Sequence, residues 1–333
     1  MPALPRLAAP LAAALALLAP AGATTATATA ATPSGGDPTV SHARVLAHFP
    51  FAAGRAPENI ALEPDGSADV TFSFARQVAR VDRTGAVTVL ATLPPVADPH
   101  TPLIGAAAVS GIARAEDGTL YVNYATGTAE TGVWRIAPGA APEQIAQLPA
   151  DGLPNGLALD EECGTLYVAD SARGVVWSVP RDGGAPAVWA EGAALRAAAA
   201  GGFGANGLKF RDGAVWVSNT DRATLLRIPA GPPPERAAGP VEVRASGLTG
   251  IDDFAFTGHH GGTVLAALLP SDEVALVRPD GSHKTVLTAK DGLRNPTSLA
   301  VHAKRVHVNS AAYYATSAPD PNLLVARISK NKR

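Results

Sequence analysis

Six segments of the chain place an oxygen-bearing side chain two positions before the first apolar residue of an alternating run. The six polar residues are Glu58, Ser110, Asn155, Asn206, Asp252 and Thr297. Two carboxylates and two amide oxygens that converge on one point form a set of hard oxygen ligands, which suits Ca²⁺. Zinc or copper would require imidazole or thiolate ligands, and no His or Cys is among the six. The pattern therefore predicts a calcium site, provided that the fold brings these positions together.

The elements that would bring them together are short strands in a repeated unit. The apolar residues that follow the polar positions are Ile60, Ile112, Leu157, Leu208, Phe254 and Leu299, spaced 45–52 residues apart. Within the units, period-two alternation and turns such as Asp65-Gly66 predict consecutive antiparallel strands. A period of about 40–50 residues with four strands per repeat is typical of a β-propeller. The sequence predicts an all-β fold, a six-bladed β-propeller with four antiparallel strands per blade.

The sixth unit lacks its fourth strand. Its third strand is predicted at residues 323–328, near the C-terminus. A surplus strand, residues 43–50, precedes the first unit and resembles the fourth-strand segment at residues 87–94. We expect the N-terminal strand to supply the missing edge and to close the ring, because an unpaired edge at the seam would be prone to aggregation.

The first strand of each blade lines the central channel of a propeller, so the six polar residues should point toward the axis at one mouth. Each also has an interpretation without a site. The Asn-Gly pairs that begin at Asn155 and Asn206 suit tight turns, and a glutamate at a strand start is unremarkable on a surface. Ser110 and Thr297 fit channel packing as well as contact with a ligand. Of the two adjacent aspartates, strand register favours Asp252 as the inward one.

Loops at the same mouth predict an apolar rim. Residues 310–322 carry two tyrosines, and residues 193–204 are rich in alanine and end at glycines, which predicts a short helical lid. Apolar walls above a polar floor suit a small uncharged ester or lactone. A purely covering role for the tyrosines fits the sequence equally well. The residues assigned to substrate binding are Ser110, Thr297, Tyr313 and Tyr314.

Composition limits the partners. The 333 residues carry a formal net charge of −2, only 17% of them are charged, and the one run of basic residues is the C-terminal tail, residues 330–333. We therefore expect no nucleic-acid partner. Cys163 is the only cysteine, which excludes an intramolecular disulfide. We expect a monomer that acts on a small molecule.

The first residues carry the features of a secretory signal. Arg6 precedes an apolar run, residues 7–20, that is too short for a membrane span. Small residues then allow cleavage after Ala23. We assign residues 1–23 to a signal peptide, 24–42 to a disordered linker rich in Ala and Thr, 43–329 to the propeller and 330–333 to a basic tail. The protein is expected to be exported, either secreted or periplasmic.

The strand starts resemble those of a known group of enzymes. Glu in the first blade, Asn-Gly in the third and fourth, and Asp-Asp-Phe in the fifth are similar to the calcium-dependent six-bladed hydrolases. That group comprises the senescence marker protein/gluconolactonase/luciferin-regenerating enzyme family, diisopropyl fluorophosphatase and the paraoxonases, and the resemblance covers residues 43–329. It implies one catalytic calcium ion, with Asp252 also acting as general base or nucleophile. The implied ligands are Glu58, Asn155, Asn206 and Asp252.

The second blade departs from that group. Ser110 stands where paraoxonases place a histidine and where gluconolactonases place an asparagine that contacts the substrate. This departure counts against a histidine-based mechanism and against a preference for sugar lactones.

Two main classes of function fit these features. The first is an exported calcium-dependent hydrolase of lactones, aryl esters or phosphotriesters. The second is a non-catalytic propeller whose mouth binds a small molecule or a cell-surface partner. The paired carboxylates favour the hydrolase, because a binding propeller does not need them on its axis. The same oxygen ring argues against a third possibility, a metal-free enzyme similar to strictosidine synthase.

Overall fold

The computed structural model describes residues 36–258 and 261–329, which form six antiparallel sheets of four strands each. The prediction of an all-β, six-bladed propeller is confirmed. Helical structure in the described ranges is limited to three short 3₁₀ segments, Phe51–Ala53, Leu269–Ser271 and Ala289–Asp291. No helix in these ranges is long and apolar enough to cross a membrane. The predicted signal peptide, most of the predicted linker and the basic tail lie outside the described residues.

The strands are numbered in chain order, beginning with β1 (Thr39–His48). The first blade contains β2 (Pro57–Leu62), β3 (Ala68–Phe72), β4 (Gln77–Val81) and β5 (Val87–Thr92). The second contains β6 (Ala108–Arg114), β7 (Leu120–Ala125), β8 (Gly132–Ile136) and β9 (Glu143–Gln147). The third contains β10 (Pro154–Asp160), β11 (Thr165–Asp170), β12 (Val175–Pro180) and β13 (Ala187–Glu191). The fourth contains β14 (Ala205–Arg211), β15 (Ala214–Asn219), β16 (Thr224–Pro229) and β17 (Glu242–Ala245). The fifth contains β18 (Ile251–Phe256), β19 (Val264–Leu268), β20 (Glu273–Val277) and β21 (His283–Leu287). The sixth contains β22 (Pro296–His302), β23 (Arg305–Ser310) and β24 (Asn322–Ser329).

The fourth strand of the sixth sheet is β1, which pairs antiparallel with β24. One sheet thus combines the first strand of the described chain with the last three. β1 begins at Thr39, so residues 39–42, which we assigned to the linker, extend the strand. A register shift between Ser41 and Arg44 interrupts the pairing there, which is why the alternation of the sequence did not reveal the extra residues.

Six apolar clusters fill the six interfaces between neighbouring blades. Strand β11 shows how one strand serves two interfaces. Leu166 and Val168 pack toward the second blade, whereas Tyr167 and Ala169 pack toward the fourth. Successive side chains of a strand point to opposite faces, so a strand between two other blades must be apolar on both faces.

Each innermost strand carries a β-bulge at its polar position. In the first blade, Pro57 pairs with Phe72 and Ile60 pairs with Val70, so Glu58 and Asn59 lie opposite a single residue of β3. A corresponding register shift occurs at the start of the innermost strand of the other five blades. A bulge bends its strand and re-aims the side chains near it. The six bulges therefore help to set the direction of the six polar side chains.

Gly156 and Gly207 lie within strands β10 and β14, so the interpretation of the two Asn-Gly pairs as turns is wrong. A Cβ atom on Gly156 would lie 2.2 Å from the carbonyl oxygen of Asn206, and one on Gly207 would lie 2.8 Å from that of Asp252. These positions require glycine because the inner strands of consecutive blades approach each other too closely for a side chain.

Candidate metal centre and active site

The starts of the innermost strands meet at one mouth of the propeller, around a cavity of about 310 Å³. Five of the six polar positions contribute to its lining; they are Glu58, Ser110, Asn155, Asn206 and Asp252. Thr297 does not line the cavity, and its hydroxyl donates a hydrogen bond to the carbonyl oxygen of Pro57 at 2.9 Å. The structure therefore brings together the four side chains considered for calcium and places Thr297 in a contact between the sixth and first blades.

Glu58 is held by a tyrosine from the sixth blade. The phenol of Tyr313 donates a hydrogen bond to its carboxylate, and the hydroxyl of Ser73 lies 3.5 Å from the same oxygen. Burial raises the pKa of Glu58 to about 7, although both of these hydrogen bonds act in the opposite direction. Tyr313, assigned to substrate binding from the sequence, lines the cavity and also fixes one of the candidate ligands.

Asp252 faces the cavity, whereas its neighbour Asp253 does not line it. The Oδ1 atom of Asp252 accepts a hydrogen bond from Nδ2 of Asn206 at 2.7 Å. Burial, followed by the negative charges of Glu58 and Asp253, holds the pKa of Asp252 well above its ordinary value. Asp253 instead forms an ion pair with Lys209, whose Nζ lies 2.7 Å from Oδ2.

Three hydroxyl groups connect the candidate ligands to neighbouring blades. Ser73, Ser171 and Thr220 each follow the second strand of a blade, and each donates to the carbonyl oxygen of the residue just before a polar position in the next blade. The acceptors are Val109 at 3.2 Å, Ala205 at 2.8 Å and Ile251 at 2.8 Å.

Two of these hydroxyls also accept hydrogen bonds from the asparagines. Nδ2 of Asn155 donates to Ser171 at 3.3 Å, and Nδ2 of Asn206 donates to Thr220 at 2.8 Å. A hydroxyl that already donates its hydrogen can only accept from the amide. The amide nitrogens are therefore directed toward the hydroxyls, and neither Oδ1 atom has a hydrogen-bond partner among the described residues. These hydroxyl residues were not predicted from the sequence, although a Ser or Thr directly after the second strand in four of the six units was a readable signal.

The wall above this floor is largely apolar. Phe74, Ile104, Phe203 and Tyr314 line it, and Phe74 packs edge-on against the ring of Tyr313 at 5.9 Å. Tyr314 is 65% exposed. The prediction of an apolar rim with both tyrosines thus agrees with the lining of the cavity.

The predicted helical lid is wrong. Residues 193–204 form turns and bends. The backbone N–H groups of Ala198 and Ala199 donate to the carboxylate of Asp221 at 2.7 and 3.0 Å. A side-chain acceptor from another blade therefore takes hydrogen bonds that a helix would make along the segment. Phe203 nevertheless lines the cavity, as expected for a residue at the mouth.

The chemistry of this donor set fits a hard divalent cation. Burial raises the pKa of both carboxylates, and the charge of Glu58 raises the pKa of Asp252 further. Among the described residues, no Lys, Arg or His lines the cavity beside them. Two amide oxygens complete a set of oxygen donors that matches Ca²⁺ better than zinc. No group of three or more His, Cys, Asp or Glu side chains within the described ranges is arranged to hold a metal ion. Any metal at the axis would therefore depend on the asparagines as well as on the two carboxylates.

Solved structures share this architecture. Regucalcin from Agrobacterium tumefaciens, described as a calcium-binding protein, is 17% identical with a TM-score of 0.64, over 88% of this chain and 96% of that one. An aldose sugar dehydrogenase from Streptomyces coelicolor, in a form bound to PQQ, is 16% identical with a TM-score of 0.62, over 88% and 99%. A luciferin-regenerating enzyme is 10% identical with a TM-score of 0.59, over 87% and 95%.

The chain shares their six-bladed propeller fold. No protein-family model matches the sequence, and no curated protein matches it. These three structures carry different functions on one fold, so a function for this chain must be argued from its own site.

Proposed function

We propose that the protein is an exported calcium-dependent hydrolase of lactones or related esters. The observation that carries this proposal is a pair of carboxylates, the buried Asp252 and the partly buried Glu58, that lie with two asparagines at the floor of an apolar cavity. Burying two carboxylates without a cation is unfavourable, because each loses hydration and repels the other. A calcium ion would compensate both. Export is proposed from the sequence of residues 1–23.

The residues that would hold the ion are Glu58, Asn155, Asn206 and Asp252. A calcium ion bound there supplies a Lewis acid for the carbonyl oxygen of the substrate. Asp252 is placed to take the proton of the attacking water, or to attack the carbonyl carbon itself. Asn206 orients this carboxylate through its hydrogen bond, and Tyr313 does the same for Glu58. The apolar wall excludes water from the bound substrate.

The lining also indicates the charge of the substrate. Within the described part of the chain, its charged side chains are two carboxylates, and no Lys, Arg or His contributes to it. With calcium bound, the charge of these carboxylates would be balanced and no cationic side chain would remain to pair with an anionic substrate, whereas an uncharged lactone or ester would bind through its carbonyl oxygen and its apolar atoms.

The test measures bound calcium and hydrolysis together. We expect the purified mature chain to bind one calcium ion at the axis and to hydrolyse members of a panel of small lactones and aryl esters. A calcium chelator should abolish the activity. Asp252→Asn should lower kcat by about 10²–10⁴-fold while the fold is retained. The matched control is Glu191→Gln, which neutralises an exposed carboxylate in the third blade and should leave kcat unchanged.

Two outcomes would overturn the proposal. An Asp252→Asn variant with full activity would remove Asp252 from the mechanism. A chain that binds no calcium and hydrolyses none of the panel would favour the second class of function, a propeller whose mouth binds a small molecule or a cell-surface partner.

A further inference from the structure

A basic cleft lies between the sixth and first blades, on the face opposite to the axial cavity. Its volume is about 330 Å³. It is lined by side chains of β1, β23 and β24 and by the turns that join β2 to β3, β4 to β5, and β22 to β23. The six residues that define the basic cleft here are Arg44, Arg83, Lys304, Arg305, His307 and Arg327.

The register of the sixth sheet places these side chains on one face. Arg305 lies directly opposite Arg327 in the pairing of β23 with β24. His307 lies opposite Val325, which in turn lies opposite Arg44 of β1. Like charges directly opposite each other in a sheet are destabilising. The outer part of this blade interface is therefore cationic, whereas apolar clusters fill the interior of the blade interfaces.

The cations of the basic cleft lack acidic partners. Within residues 36–258 and 261–329, no acidic side chain forms an ion pair with any of the six residues of the basic cleft. Asp65 lies within electrostatic range of Arg83, but it forms no ion pair with it. The comparable cleft between the second and third blades differs, because Arg135 pairs with Glu143 and Arg181 with Glu161, each at 2.7 Å.

A buried polar atom marks the same place. His307 is only 2% exposed, and its Nδ1 atom has no hydrogen-bond partner among the described residues. Native proteins satisfy most of their buried polar atoms, so an unpaired one calls for a specific reason. Five cations without an ion-pair partner among the described residues thus lie beside an imidazole whose Nδ1 atom is unpaired, an arrangement that an anion would stabilise.

We propose that the basic cleft binds a phosphate group, carried either by a small soluble ligand or by a lipid headgroup. Guanidinium groups match the geometry of phosphate oxygens and form charge-assisted hydrogen bonds with them. A phosphate or diphosphate carries enough negative charge to balance several cations, which a single carboxylate does not. This site is independent of the axial cavity and of the function proposed for it.

Calorimetric titration of the full chain at low ionic strength tests the site, with inorganic phosphate and pyrophosphate as the probes. We expect pyrophosphate to bind more tightly than phosphate. The double variant Arg305→Gln/Arg327→Gln should weaken pyrophosphate binding by at least about tenfold, because each lost guanidinium removes charge-assisted hydrogen bonds. The control, Arg135→Gln/Arg181→Gln, removes the same charge from the cleft between the second and third blades and should bind pyrophosphate as the parent does.

A second measurement separates the two sources of phosphate. One result would assign the phosphate to a lipid. In that case pyrophosphate does not bind, and vesicles of phosphatidic acid co-sediment with the parent and with the control but not with the Arg305→Gln/Arg327→Gln variant. The Arg305→Gln/Arg327→Gln variant should unfold at the same or a higher temperature than the parent, since it relieves repulsion, so lost binding would not reflect lost structure. Binding to neither probe nor vesicles, or equal weakening in both double variants, would overturn the proposal.

Discussion

Asp252 and Asp253 are adjacent in sequence but lie in opposite electrostatic environments. Asp252 is buried at the cavity, near the carboxylate of Glu58, and the polar neighbour that stabilises its charge is the amide of Asn206. Asp253 is also buried but accepts two hydrogen bonds from Lys209, at 2.8 and 2.7 Å. One carboxylate is therefore available for a cation or a substrate, and the other is already neutralised within the fold.

This contrast predicts opposite effects on stability. Asp253→Asn should lower the free energy of unfolding by about 1–3 kcal/mol, because Lys209 loses its buried partner while keeping some access to water. Asp252→Asn should leave this free energy unchanged or raise it when a calcium chelator is present, because it removes a buried charge that Glu58 repels. Urea unfolding of both variants beside the parent measures the difference. Equal destabilisation by the two substitutions would mean that Asp252 is a structural residue.

The sequence predicted the types and spacing of the axial residues, because each sits at a fixed distance from an apolar anchor. It could not predict their partners. The contact of Tyr313 with Glu58 joins the sixth blade to the first across 255 positions. Thr297 does not line the cavity, and its hydroxyl donates a hydrogen bond to the carbonyl oxygen of Pro57 in the first blade. Contacts of this kind depend on the packing of one blade against the next, and the periodicity of the sequence does not determine which side chains meet there.

At the scale of the strands, bulges and hydroxyl bridges determine where the polar side chains point. A bulge at the start of each innermost strand re-aims its polar residue. Thr220 then links Asn206 to the backbone of the fifth blade, and Ser171 links Asn155 to that of the fourth. We infer that these hydroxyls are positioning residues for the proposed calcium ligands.

Thr220→Val tests this inference with little change in shape. The substitution should weaken calcium binding by about 10–100-fold, the usual effect of removing a group that orients a metal ligand. It should act on affinity through Asn206, whose amide would lose its acceptor. Calcium titration followed by calorimetry measures the affinity directly and does not require turnover.

Thr224→Val is the matched control for this variant. The hydroxyl of Thr224 lies in the same blade and is buried without a hydrogen-bond partner among the described residues, so its removal should not affect calcium affinity. If Thr220→Val bound calcium as tightly as Thr224→Val, Thr220 would have no positioning role.

At the scale of the whole molecule, the joint between the sixth and first blades differs from the other five. The sixth sheet depends on β1, which is remote in sequence from β22, β23 and β24. The number of blades was predictable because the unit repeats six times. The basic cleft at the same joint was not, because its cations come from separate turns and strands and no run of basic residues marks them.

Because β1 pairs with β24 in the sixth sheet, we predict that the propeller is not stable without β1. A chain that begins at Pro50 lacks β1 and leaves the edge of β24 unpaired, with Leu323 and Leu324 no longer covered from that side. Because an unpaired edge and a sheet that has lost a strand both favour aggregation, we expect this chain to lose cooperative thermal unfolding.

A chain that begins at Gly36 retains β1 and should unfold as the parent does. Adding a synthetic peptide of residues 37–50 to the shortened chain should restore cooperative unfolding, because the pairing with β24 needs no covalent link to β2. A chain beginning at Pro50 that unfolded at the same temperature as the one beginning at Gly36 would show that three strands suffice for the sixth blade and that β1 does not close the ring.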